Sequence, residues 1–121
     1  MPPKPLILVV DDDAPILLLM RTMLREFGFD TVDAITGAKA LEAARRSPPD
    51  LVLLDRNMPG MSGDEVVSAL RAEPALASVP ILILSGAPIE PDELRRLGAD
   101  GAVLKPFDVT ALVETIRKHI A

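Results

Sequence analysis

The stretch Leu6-Ile7-Leu8-Val9-Val10-Asp11-Asp12-Asp13 runs from an unbroken apolar segment straight into three acids. A strand with one wet face alternates apolar and polar residues, whereas a strand covered on both faces reads as a continuous apolar run. Double coverage is the habit of parallel sheets flanked by helices. The same signature returns downstream, weakly over Thr31 to Ile35 and then over Leu51 to Leu54, Ile81 to Leu84 and Ala102 to Leu104. Five strands are therefore expected, with longer segments of helical period between them.

The first of those segments carries Pro15 where an opening helical turn tolerates proline. Ile16, Met20, Met23, Leu24 and Phe27 recur at helical spacing until Gly28 stops the pattern. Thr36 is a suitable N-cap for a second helix through Leu41 to Arg46, ended by Pro48-Pro49. Ser62 and Glu65 form a capping-box pattern ahead of a third helix from Gly63 to Glu73. A short fourth helix is expected from Pro91 to Leu97, with Gly98 as its stop. The last begins after Asp108, sets Leu112, Ile116 and Ile120 on one face, and closes with Arg117, Lys118 and His119, cations suited to a helix C-terminus. His119, the only histidine, has that terminal role and is assigned no chemistry.

Five β/α units with short connections and no linker predict a single doubly wound α/β domain over residues 1–121. Its parallel sheet would run in the order 2-1-3-4-5, with helices on both faces in a flavodoxin-like arrangement. The length of 121 residues suits one domain, since folding at this size buries about 65% of the unfolded surface. Three Phe and no Trp or Tyr leave the core to aliphatic side chains and provide no aromatic platform for base stacking. A net charge of -5 disfavours nucleic acid as a direct ligand, because affinity for a phosphate backbone comes from basic surface. Zero Cys excludes a disulfide framework, a thiolate metal site and a cysteine nucleophile. The apolar run at Leu6 is too short for a signal-peptide core or a membrane span, and a cytoplasmic location is expected.

In doubly wound sheets, ligands sit beyond the carboxyl ends of the strands. There the first strand presents Asp11-Asp12-Asp13, the third Asp55, the fourth Ser85 and the fifth Lys105. With the first and third strands neighbours at about 4.8 Å, Asp55 comes close to Asp11 and Asp12. Three carboxylates so placed repel one another and call for raised pKa values or a cation, and a hard divalent ion such as Mg²⁺ matches oxygen ligands. Lys105 adds a fixed positive charge and Ser85 a hydroxyl, equipment suited to receiving a phosphoryl group on a carboxylate. Singly, each of these residues has a plainer reading as a turn former or solvated charge, and for Asp13 the plainer one, an N-cap, is preferred.

Across Ile7 to Asp13, Asp50 to Gly63, Leu84-Ser85, Gly98-Ala99-Asp100 and Lys105-Pro106-Phe107, in order and spacing, the chain resembles the receiver domain of two-component response regulators. The resemblance implies that Asp55 is the phosphoryl acceptor. It also implies that Asp11, Asp12, Asp55 and the backbone carbonyl of Asn57 arrange Mg²⁺, that Ser85 and Lys105 contact the phosphoryl group, and that the Lys105-Pro106 peptide is cis. The donor would be a phosphohistidine on a sensor histidine kinase or a histidine phosphotransfer protein, and the signal would pass to a downstream protein or an output domain. Two departures stand out. Ala102 occupies the position where the family commonly has a Tyr or Phe that turns inward on activation, and the stretch from Ser85 to Lys105 is about two residues shorter than usual.

Three other readings compete. A pseudo-receiver that only binds proteins is opposed by the intact Asp12, Asp55 and Lys105. An aspartyl-nucleophile phosphatase needs an acid two residues after the nucleophile, where Asn57 stands. A flavodoxin-like electron carrier needs a hydroxyl- and glycine-rich phosphate loop after the first strand, where this chain has acids.

Overall fold

The computed structural model describes residues 3–120. Its elements alternate strictly: β1 (Leu6–Val10), α1 (Ala14–Glu26), β2 (Asp30–Ala34), α2 (Gly37–Arg46), β3 (Leu51–Asp55), α3 (Gly63–Ala72), β4 (Ile81–Ser85), α4 (Pro91–Leu97), β5 (Gly101–Leu104) and α5 (Val109–Ile120). All strand pairs are parallel, in the order β2-β1-β3-β4-β5. The expected fold class and order are therefore observed, with strand and helix ends shifted by one or two residues, as is usual where terminal turns fray.

Side chains of successive strand residues point to opposite faces of the sheet, and each face has its own core. Leu8, Val10, Val52, Leu54, Ile81 and Ile83 pack with α2 and α3 on one face. Ile7, Val9, Leu51, Leu53, Leu82 and Leu84 pack with α1 and α5 on the other. The interior strands β1, β3 and β4 are buried almost throughout, which is why they read as unbroken apolar runs. The edge strands differ: β2 carries polar residues, and β5 alternates half-buried with exposed residues, leaving Leu104 50% exposed.

Local chemistry sets the helix starts. Asp13 accepts the Ile16 N–H as the N-cap of α1, Thr36 accepts that of Lys39 at α2, and Ser62 with Glu65 forms a reciprocal capping box at α3. One expectation fails in α1. The buried stripe is Leu17, Met20 and Leu24, whereas Ile16 and Phe27 are more than a third exposed. Ile16 to Met20 is a continuous apolar run, and a period of 3.6 residues cannot turn all of it inward; Leu18 and Leu19 are left more than half exposed. The stripe of α5 is likewise adjusted, to Leu112, Val113 and Ile116.

Candidate functional site at the carboxyl edge of the sheet

Strand register assembles the site. Val10 of β1 pairs with Leu54 of β3, so the residues that follow them, Asp11 and Asp55, emerge side by side at the carboxyl edge. Asp11 and Asp55 are buried, at 3% and 5% exposure, while Asp12 faces solvent. One carboxylate oxygen from each of the three lies within 4.8 Å of the others. Burial pushes the Asp11 carboxyl above its ordinary range. The charges of Asp55 and then Asp12 push it further, against the opposing Asp13 amide and the Lys105 charge.

Lys105 follows β5, two strands away from β3, and reaches across β4. Its Nζ donates to Asp55 Oδ1 at 3.0 Å, and its backbone N–H donates to Ser85 O at 2.8 Å. The Asn57 N–H donates to the same Asp55 Oδ1 at 3.3 Å. Both donors converge on Oδ1, and Oδ2 has no hydrogen-bond donor among the described residues. The Lys105-Pro106 peptide is cis, as the resemblance implied. Asp13 accepts the first-turn amide of α1 and donates its own N–H to Asp11 Oδ1 at 3.0 Å, so it orients the cluster instead of joining it.

Ser85 is the exception among the expected site residues. It is buried at the end of β4, yet its hydroxyl donates to Ala87 O at 2.7 Å and accepts the Ala87 N–H at 3.2 Å, closing a local turn in which both of its hydrogen bonds go to Ala87. Ala102 is exposed in β5. A shallow groove of about 230 Å³, lined by Ala87, Pro88, Ile89, Ala102, Val103 and Leu104, lies where a larger side chain would stand.

A cleft of about 680 Å³ opens from the acids between α1 and the β5–α5 connection, lined by Leu19, Met20, Met23, Phe107 and Val109 beside Asp12, Asp55 and Lys105. This apolar wall was not among the sequence expectations, although five successive apolar residues near the start of α1, Ile16 to Met20, are a usable signal. Arg56 was also missed. Its guanidinium donates to both carboxylate oxygens of Asp64 at 3.2 and 3.3 Å and to Glu93 on α4. These bonds, Glu93 first, hold Arg56 above its ordinary pKa.

Three carboxylates and a lysine at the carboxyl edge of a 2-1-3-4-5 parallel sheet define a signalling domain of the response-regulator type. The sequence profile of the response regulator receiver domain matches residues 7–117, and the chain belongs to that family. It is 42% identical over 116 residues to the DNA-binding response regulator MtrA of Mycobacterium tuberculosis, a match covering 94% of this chain and 50% of MtrA. The chain thus spans about half the length of the curated relatives it matches. Among solved structures, the chemotaxis protein CheY4 of Vibrio cholerae is similar at TM-score 0.89 and 31% identity, over 95% of this chain and 98% of that one. The receiver domain of the sensor histidine kinase PA1611 from Pseudomonas aeruginosa, solved with magnesium in its active-site cleft, is similar at TM-score 0.87 and 25% identity, over 97% and 98%. The family is one of signalling modules and not of classical enzymes, and no helix among the described residues is long and apolar enough to cross a membrane.

Proposed function

We propose that Asp55 accepts a phosphoryl group from a phosphohistidine on a sensor histidine kinase or histidine phosphotransfer protein. The observation that carries this reading is the asymmetry of its carboxylate. Oδ1 is held by Lys105 and the Asn57 amide, while Oδ2 is left to attack phosphorus. As the new O–P bond forms, the P–N bond to the donor imidazole breaks and the imidazole keeps the electron pair. Lys105 then sits beside the added charge, and Ser85 lies one strand over with a hydroxyl that must leave Ala87 to reach it.

Asp11, Asp12 and Asp55, all hard oxygen donors within 4.8 Å of one another and open to water through Asp12, suit Mg²⁺, with the Asn57 carbonyl as a further ligand. Bound there, Mg²⁺ would neutralise charge on the phosphoryl oxygens. The domain so described is a single receiver, acting in the cytoplasm and passing its state to an output domain or a separate protein. A binding-only module does not account for an intact set of acceptor, lysine and acids.

Intact-mass measurement after incubation with acetyl phosphate tests the reading. One phosphate should be added in the presence of Mg²⁺ and none after EDTA or in Asp55→Asn. Modification that persists in either control refutes it.

A further inference from the structure

α4 is attached unlike the other helices. It spans seven residues, buries none of them, and its N-cap Glu90 makes no side-chain cap hydrogen bond. Its apolar anchors are partly buried: Ile89 just before it, Leu97 at its last residue and Ala99 just after. The remaining attachments are two arginines rooted elsewhere. Arg71 of α3 donates from Nε to Gly98 O at 2.8 Å, and from Nη2 to Asp100 at 2.8 Å. At the other end, Glu93 accepts from Arg56.

Arg56 is the residue directly after Asp55, and its own footing is firm. Its backbone N–H donates to Leu84 O at 3.1 Å, its carbonyl accepts from Gly63 at 3.0 Å, and Asp64 also holds the guanidinium, through Nε and Nη2. A cross-link therefore runs from the backbone next to the acceptor to the first turn of α4. Between Ser85 and Pro91 lie only five residues, two of which are restrained, Pro88 by its fixed φ and Ile89 by packing. Turning the Ser85 hydroxyl from Ala87 toward Asp55 drags this short loop, and the cross-link resists the movement of its far end.

We propose that Arg56 is a positioning residue that, through Glu93, holds α4 and the β4–α4 loop in the arrangement with the Ser85 hydroxyl bonded to Ala87, and so restrains phosphorylation of Asp55. The proposal rests on Asp55 being the acceptor. A ligand or modification shifts a two-state element only by its differential affinity, so weakening the arrangement that disfavours phosphorylation favours phosphorylation, by at most the factor by which that arrangement is weakened. The Arg56 and Glu93 side chains are 25% and 33% exposed, so the restraint is modest and screened by salt.

The test compares acetyl phosphate labelling rates of wild type, Glu93→Gln and Glu93→Arg with Mg²⁺ present, at ionic strengths from about 0.01 M to about 1 M, where the Debye length falls from about 30 to about 3 Å. At low salt, Glu93→Gln should label about two- to fivefold faster than wild type, the span of an exposed ion pair, and Glu93→Arg faster still. The ratios should converge toward one at high salt, and taking ratios cancels any effect of salt on the phosphate donor. Amide exchange in α4 should follow the same order with Mg²⁺ and donor absent. Equal rates at low salt, or a ratio indifferent to salt, overturn the proposal. If wild type takes no phosphate at all, the acceptor reading fails, while the exchange data still report on the cross-link.

Discussion

Asp12→Ala should make the metal-free domain more stable and its complex with Mg²⁺ relatively weaker. Asp12 is solvent-exposed and accepts no hydrogen bond among the described residues, so its truncation removes charge and little else. At 4.8 Å, the outer limit of the separations between the nearest oxygens of Asp11, Asp12 and Asp55, a pair of unit charges repels by about 0.9 kcal/mol in bulk water and about 3.5 kcal/mol at an effective dielectric of 20. Exposure puts Asp12 near the lower figure for each of its two neighbours, Asp11 and Asp55, and Lys105 at 3.0 Å from Asp55 offsets part of it. A net relief of about 1 kcal/mol remains at low ionic strength, a rise of about 3–5 °C in Tm for a chain of this length.

Mg²⁺ at a hundred times its wild-type Kd stabilises wild type by about 2.7 kcal/mol, and a tenfold loss of affinity in the variant leaves about 1.4. With the relief of about 1 kcal/mol added, that variant already melts slightly below wild type in Mg²⁺, and a hundredfold loss, which leaves about 0.4 kcal/mol, inverts the order of the two melting temperatures clearly. With no Trp or Tyr in the chain, differential scanning calorimetry in EDTA and in Mg²⁺ is the appropriate assay. A variant that melts at or below wild type in EDTA refutes the repulsion argument. One that gains as much from Mg²⁺ as wild type does removes Asp12 from the ligand set.

Gly63→Ala should cost about 2–3 kcal/mol in urea titration, because its Cβ would lie 2.6 Å from Asp55 O and 2.8 Å from Arg56 Cα, backbone atoms that cannot step aside cheaply; a loss below about 0.5 kcal/mol would show that α3 shifts freely. Burial holds the Asp33 carboxyl above its ordinary 3.8, against Arg21 and Arg25, so its ionised form is penalised by folding. Asp33→Asn should therefore be the more stable protein at neutral pH and lose that advantage as pH falls through the raised value toward 3.8; an advantage that grows on acidification in thermal melts contradicts this. Addition of beryllofluoride should shift amide resonances of Gly86 and Ala87 strongly and those of Val113 and Ile116 little, since Ala102 has no ring to turn; comparable shifts at both places refute a loop-centred response.

The parallel sheet was legible in sequence because unbroken apolar runs mark its strands, and the meeting of Asp11 with Asp55 followed once the doubly wound order 2-1-3-4-5 was adopted. Burial on two faces forces the runs, and parallel register then brings their ends together. The α1 stripe was misjudged because several helical phases fit a continuous apolar run and only the neighbouring elements choose among them. The Ser85 turn toward Ala87 and the Arg56 link to Glu93, 37 residues away, depend on tertiary placement that spacing does not encode. Their residue types, a serine before glycine and an arginine after an acid, fit many other partners equally well.

The two cores make the sheet a partition. Leu53 and Leu54 are adjacent in the chain yet belong to different cores, with the sheet's backbone between them. Packing defects placed on opposite faces should add almost independently, whereas defects sharing one face compete for the same relaxation. The layer under α1 and α5, beside the apolar cleft, is therefore free to be rewritten over generations without repacking the layer under α2 and α3. One side of the molecule can change its packing and its surface while the other keeps its existing interior.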